Sequence, residues 1–126
     1  MILVEIKKSK FYGYAFNVES MEQVEQLLQQ LKAEHKKATH ICWATVIKSN
    51  GVELLKFSDD GEPSGTAGRP MASVLQKRGE TNKVVFVVRY FGGIKLGGGG
   101  LVRAYTKATS EALDNANNTN QTNWQK

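Results

Sequence analysis

The chain has 126 residues, 40% hydrophobic and 23% charged, which fits one soluble globular domain able to bury a real core. Seventeen basic against twelve acidic residues give a formal net charge of +5, compatible with a polyanionic partner without requiring one. The longest purely apolar run, Val84 to Val88, is too short to span a membrane, and the single Cys42 excludes an internal disulfide framework and suits a reducing, cytoplasmic setting.

Met1 to Val4, followed at once by Glu5, Lys7 and Lys8, reads as a strand rather than a signal peptide. Lys10 to Val18 alternates loosely and carries Phe11, Tyr12, Tyr14 and Phe16, the pattern of a half-buried strand; such rings can stack bases, but core and rim are their commoner places. Ser20 with Gln23 forms a capping box, and Val24, Leu27, Leu28 and Leu31 recur at helical spacing to about His35, a capping residue there. Ile41 to Ile47 and Val52 to Phe57 read as strands joined at Ser49-Asn50-Gly51, a hairpin signal. After a loop from Asp59 to Arg69, Pro70 suits the first turn of a short helix with Met71, Val74 and Leu75 inward and Gly79 as its stop.

Val84 to Val88 has no polar alternation and predicts a strand buried on both faces. A last helix from Leu101 to Leu113 places Leu101, Tyr105, Ala108 and Ala112 on one side. Residues 1 to 114 are expected to form a single domain, and Asn115 to Lys126, polar and low in complexity, a flexible tail. The order β-β-α-β-β-α-β-α gives an α+β class, helices covering one sheet.

Two segments carry candidate chemistry. In Asp59 to Pro70, the carboxylates of Asp59, Asp60 and Glu62 could hold a divalent cation or divide acid and base roles. The plainer reading is an acidic turn with Ser64 or Thr66 capping the helix that follows. In Arg89 to Tyr105, six of seventeen residues are glycine, between a strand and a helix. Gly92, Gly93, Gly97, Gly99 and Gly100 could bring backbone N–H groups close to an anion, with Lys95 and Arg103 supplying positive charge. They could equally serve a tight crossover; the dinucleotide-binding fingerprint is absent. His40 and Cys42 share one strand face but do not make a zinc site, and a lone buried cysteine is usually inert.

These two segments, with His40-Ile41-Cys42-Trp43-Ala44 and Lys7-Lys8-Ser9-Lys10-Phe11, resemble the IMPACT family of YigZ-like bacterial proteins and eukaryotic translational regulators. The likeness covers about residues 7 to 113. One departure is Leu96-Gly97-Gly98-Gly99-Gly100, where the family usually has Leu-Gly-Thr-Gly-Gly; the hydroxyl at position 98 is lost. Bacterial relatives continue into a second, ferredoxin-like domain and eukaryotic ones begin with an RWD domain, so a bare IMPACT domain is expected. The resemblance implies a fold like domain 2 of ribosomal protein S5, a mostly antiparallel sheet of about four to five strands backed by helices.

It also implies a role near translation. Eukaryotic relatives restrain the amino-acid-starvation kinase of initiation factor 2 by competing for its ribosome-associated activator, and nucleic-acid binding has been suggested for bacterial ones. Fold alone does not assign function. The leading expectation is a non-enzymatic module for translational stress regulation, without a cofactor or membrane, contacting a translation-associated protein or the ribosome. Its contact surface would be Arg69, Arg89, Lys95 and Arg103 with the glycine loop, and Asp59, Asp60 and Glu62 would bind a partner or organise their loop. The alternatives are direct RNA or DNA binding, and a metal-assisted enzyme on a phosphorylated small molecule.

Overall fold

The computed structural model describes residues 1–118. Its elements are β1 (Ile2–Ile6), β2 (Ser9–Asn17), α1 (Met21–Glu34), β3 (His40–Ser49), β4 (Val52–Ser58), α2 (Gly68–Lys77), β5 (Lys83–Tyr90) and α3 (Gly97–Asn118), in the expected order. The strands form one antiparallel sheet in the order β1-β2-β5-β3-β4, so the α+β class holds.

Alternation along β5 divides the core in two. Val85 and Val87 join Phe11, Met71, Leu75, Tyr105 and Leu113 on the face covered by α2 and α3. Val84, Phe86 and Val88 point the other way, to Phe16, Val24, Leu28, Leu31 and Ile41 under α1. A central strand covered on both faces needs no polar residues, which is why Val84–Val88 reads as a continuous apolar run. Each such side chain contributes about 1.5–3 kcal/mol by leaving water, against the entropy of ordering it.

Local signals set the element ends. Ser20 Oγ accepts from Gln23 N at 3.2 Å, the forward half of the capping box, while Gln23 Oε1 reaches one residue further back and accepts from Glu19 N at 2.7 Å. Asn50 (φ 53°) and Gly51 (φ 77°) form the left-handed pair that a two-residue hairpin turn needs, in register with Ser49 opposite Val52. The β1–β2 hairpin uses the same geometry at Lys7 (φ 48°) and Lys8 (φ 68°), although lysine is poorly suited to it.

The last helix departs from expectation at both ends. It begins at Gly97 rather than Leu101, taking the poorly helix-forming glycines into its first turn. It also runs to Asn118, through residues 115–118 that read as tail, and buried Ala116 ties that turn to the core. The tail expected beyond, residues 119–126, lies outside the described residues. Among the described residues no helix is long and apolar enough to cross a membrane.

Candidate functional site

The acidic loop and the glycine-rich helix start meet across the carboxyl end of β5. They border a cleft of about 450 Å3 whose wall includes His40, Glu62, Arg89, Phe91, Lys95 and Gly97. A larger depression of about 580 Å3 lies at the other end of the strands, around Asn17, Lys48 and Asn82, and holds none of the candidate residues.

Beneath the cleft Glu62, 7% exposed, meets Arg89, 5% exposed. Arg89 Nη1 donates to both Glu62 oxygens, at 3.0 and 2.8 Å, and Tyr105 OH donates to Oε2 at 2.5 Å. Arg89 Nη2 donates to Ser9 Oγ at 3.2 Å, and the same oxygen accepts from Gly92 N at 3.2 Å. The guanidinium lies over the rings of Phe11 and Phe91, 5.4 and 5.5 Å from their centroids. Its Nε is buried without an acceptor. A charge so enclosed is tolerable only because it is paired and hydrogen-bonded.

Arg89 therefore corrects its expected place on a contact surface: β5 alternation turns it inward with Val85 and Val87, and Glu62 neutralises it. Glu62 is equally removed from any partner. Burial pushes both the Tyr105 hydroxyl and the Cys42 thiol well above their ordinary values. Tyr105 thus serves as a neutral donor, and Cys42 stays a thiol that donates to Asp59 O at 3.1 Å.

The other carboxylates face elsewhere. Asp59 accepts from Gly65 N at 3.0 Å, Ala67 N at 3.1 Å and Gly68 N at 2.8 Å, capping α2 from nine residues upstream. That corrects the expected cap: Thr66 Oγ1 donates to Pro63 O at 2.6 Å instead, and Ser64 is exposed. Asp60 Oδ2 accepts from Ile41 N at 2.7 Å, and its carbonyl accepts from His40 Nδ1 at 2.7 Å. With Nδ1 protonated, His40 Nε2, 3.4 Å from Glu62 Oε1, ion-pairs only in the imidazolium form. Among the described residues no group of three or more His, Cys, Asp or Glu side chains is arranged to hold a metal ion.

The pull on Asp59 has a consequence in pH. Burial raises its pKa, but the three backbone donors and the charge of Arg69 outweigh that and hold it below the ordinary value. Its contribution is then complete above the unfolded carboxylate range and is lost as pH falls through the lower folded value. Asp59→Asn is expected to cost about 1 kcal/mol near neutrality, as for other helix caps. Denaturant titrations at several pH values should show the gap to the parent closing as the medium becomes acid.

Outside the pair the remaining candidates stand apart from one another. Lys95 is exposed on the cleft rim. Arg103 is exposed on α3 and folds toward its start, so that a Cβ at Gly99 would lie 3.4 Å from Nη1. Arg69 sits on α2 with its guanidinium 5.3 Å from the Phe57 ring centroid, and does not line the cleft. Gly93 (φ 92°) and Gly97 (φ 74°) turn the chain into α3, and Gly100 packs near Leu96. Ser9 and Tyr105 join the charge pair with little local sign of it in the sequence. The one signal is a tyrosine on an inward helix face, which needs an acceptor for its hydroxyl.

The Impact N-terminal domain family model matches residues 7–113. The IMPACT family member YvyE of Bacillus subtilis is 48% identical over 111 residues, covering 88% of this chain and 51% of that protein. A crystal structure of a hypothetical protein superposes with TM-score 0.85 at 42% identity, over 90% of this chain and 55% of that one. The two-domain translational regulator Yih1 superposes with TM-score 0.59 at 28% identity, over 87% of this chain and 45% of that one. The chain thus spans about half the length of the relatives it matches. By the match over residues 7–113 and the identity to its bacterial relatives, the chain belongs to the IMPACT family.

Proposed function

We propose that the chain is a non-enzymatic binding module that acts, in the cytoplasm, in the regulation of translation through a protein partner. The observation that carries this reading is how the reactive groups are used. Glu62, Arg89, Tyr105 and Cys42 are paired with one another or with the backbone inside the fold, so none of these four is presented to the cleft as a free base or nucleophile. What remains accessible around the start of α3 is Lys95 on the cleft rim with Phe91 (48% exposed) and Ile94 (42% exposed) near it in the chain, and Arg103 further along the helix. Cations flanking exposed apolar side chains suit a partner segment that is both acidic and apolar. The translational regulator Yih1, with the same fold, gives the process.

Affinity capture from host lysate tests this, run with and without nuclease beside the Lys95→Ala/Arg103→Ala variant. Both side chains are exposed, so the variant should keep its unfolding midpoint. Capture of translation proteins should survive nuclease and fall at least several-fold in the variant, as for loss of interfacial charge. Unchanged capture by the folded variant would remove the surface assignment. Material lost on nuclease treatment would indicate recruitment through nucleic acid instead.

A further inference from the structure

The sheet face beneath α1 is left partly open at the end where that helix stops. There Tyr12 of β2, Tyr90 of β5 and His35 enclose a shallow pocket of about 390 Å3, completed by Lys8, Lys10 and Phe91. The rings are fixed in advance. His35 Nδ1 lies 2.6 Å from Tyr90 OH and its Nε2 2.8 Å from Tyr14 OH, while Tyr12 and Tyr90 stand edge to face at 5.8 Å. Phe91, half exposed, extends the aromatic surface outward.

Positive charge surrounds it. Lys8 and Lys10 are exposed at the pocket wall, and exposed Lys36 and Lys37 follow His35 directly in the chain. Two carboxylates lie near it: Glu5, opposite Lys10 across β1–β2, and Glu34, near Tyr14. The Lys7-Lys8 turn holds both residues at positive φ, where glycine or asparagine would be easier.

We propose that this surface binds single-stranded nucleic acid, with bases stacked on Tyr12, Tyr90 and Phe91 and phosphates held by Lys8 and Lys10. Pre-set rings beside exposed cations are what a flexible strand requires, because its bases can splay onto them while its backbone follows the charge. A purely acidic peptide would use the lysines and leave the rings idle, and aliphatic side chains beside its carboxylates would not match flat ring faces as a base does. A duplex keeps its bases stacked out of reach. The surface is separate from Lys95 and Arg103, and only Phe91 borders both pockets.

The test is fluorescence anisotropy of labelled oligouridine and oligothymidine of about twelve nucleotides, titrated with the whole chain between about 50 and 200 mM salt. Uridine monophosphate and polyglutamate serve as competitors. Two phosphate contacts predict that log affinity falls with log salt at a slope of about −1.4. Lys8→Gln/Lys10→Gln alters exposed side chains only and should flatten that slope. Tyr12→Leu keeps an apolar residue and should weaken binding about tenfold with the slope unchanged. Absence of binding at low salt, or binding that both folded variants leave intact, would overturn the proposal. So would equal competition by polyglutamate, which would make the site a general anion surface, or by the mononucleotide, which would make it a small-molecule site.

Discussion

Arg89→Met is expected to lower the unfolding free energy by about 3–5 kcal/mol, the loss typical of removing one partner from a buried ion pair. The cost arises at Glu62 rather than at position 89. Its carboxylate would remain 7% exposed with Tyr105 OH as its strongest remaining donor. Ser9 Oγ would also lose the Nη2 donor while keeping Gly92 N. Glu62→Leu alone should cost a comparable amount by stranding the guanidinium over Phe11 and Phe91.

The combination should be milder than the sum. Arg89→Met with Glu62→Leu removes both charges, and the remaining defect is a Tyr105 hydroxyl without its acceptor, about 1–3 kcal/mol. Adding Tyr105→Phe should recover most of that. Urea denaturation of the single, double and triple variants measures the coupling, and strictly additive losses would show that the pair is not the unit described here. These variants also separate fold from function. Once folded, they should still bind through Lys95 and Arg103, whereas a catalytic or contact role for Arg89 would abolish activity at unchanged stability.

The sequence was informative where the signal is local. The Ser20–Gln23 box, the Asn50-Gly51 turn and the apolar run of β5 each depend on neighbouring residues, and each appears where expected. The order of elements alone pointed to the α+β class, and the family likeness carried by the two long motifs added a mostly antiparallel sheet of about four to five strands. Misreadings came where a residue's partner is distant. Asp59 caps a helix nine residues away, and nothing at Ser64 or Thr66 says that they do not. Arg89 looks like a surface cation until its β5 parity with Val85 and Val87 is followed, and only the fold supplies Glu62 and Ser9. Propensity misplaced both ends of α3, because packing of residues such as Leu101 and Ala116 outweighs the poor helix-forming character of glycine and asparagine.

Gly92→Ala should be the most damaging change among the glycines of the loop. A Cβ there would stand 2.0 Å from Lys8 O and 2.1 Å from Lys8 C, backbone atoms that cannot rotate aside. Either the β1–β2 turn or the end of β5 must move. The turn is held by the left-handed pair Lys7-Lys8, and Gly92 N is bound to Ser9 Oγ, the oxygen that also accepts from Arg89. Relief of the clash therefore pulls on the buried pair, and the loss should reach about 3 kcal/mol, the upper end for overpacking. Gly98 provides the control, since a Cβ there meets nothing within 4 Å and its φ is not positive. Gly98→Thr, the residue usual in the family, should be neutral or gain up to about 1 kcal/mol by limiting the unfolded chain. Similar unfolding midpoints for Gly92→Ala and Gly98→Thr would mean that the contact between the loop and the Lys8 turn is looser than 2.0 Å implies. A clear separation would establish that the glycines of this motif are not equivalent: Gly92 permits a close backbone approach that Gly98 does not make.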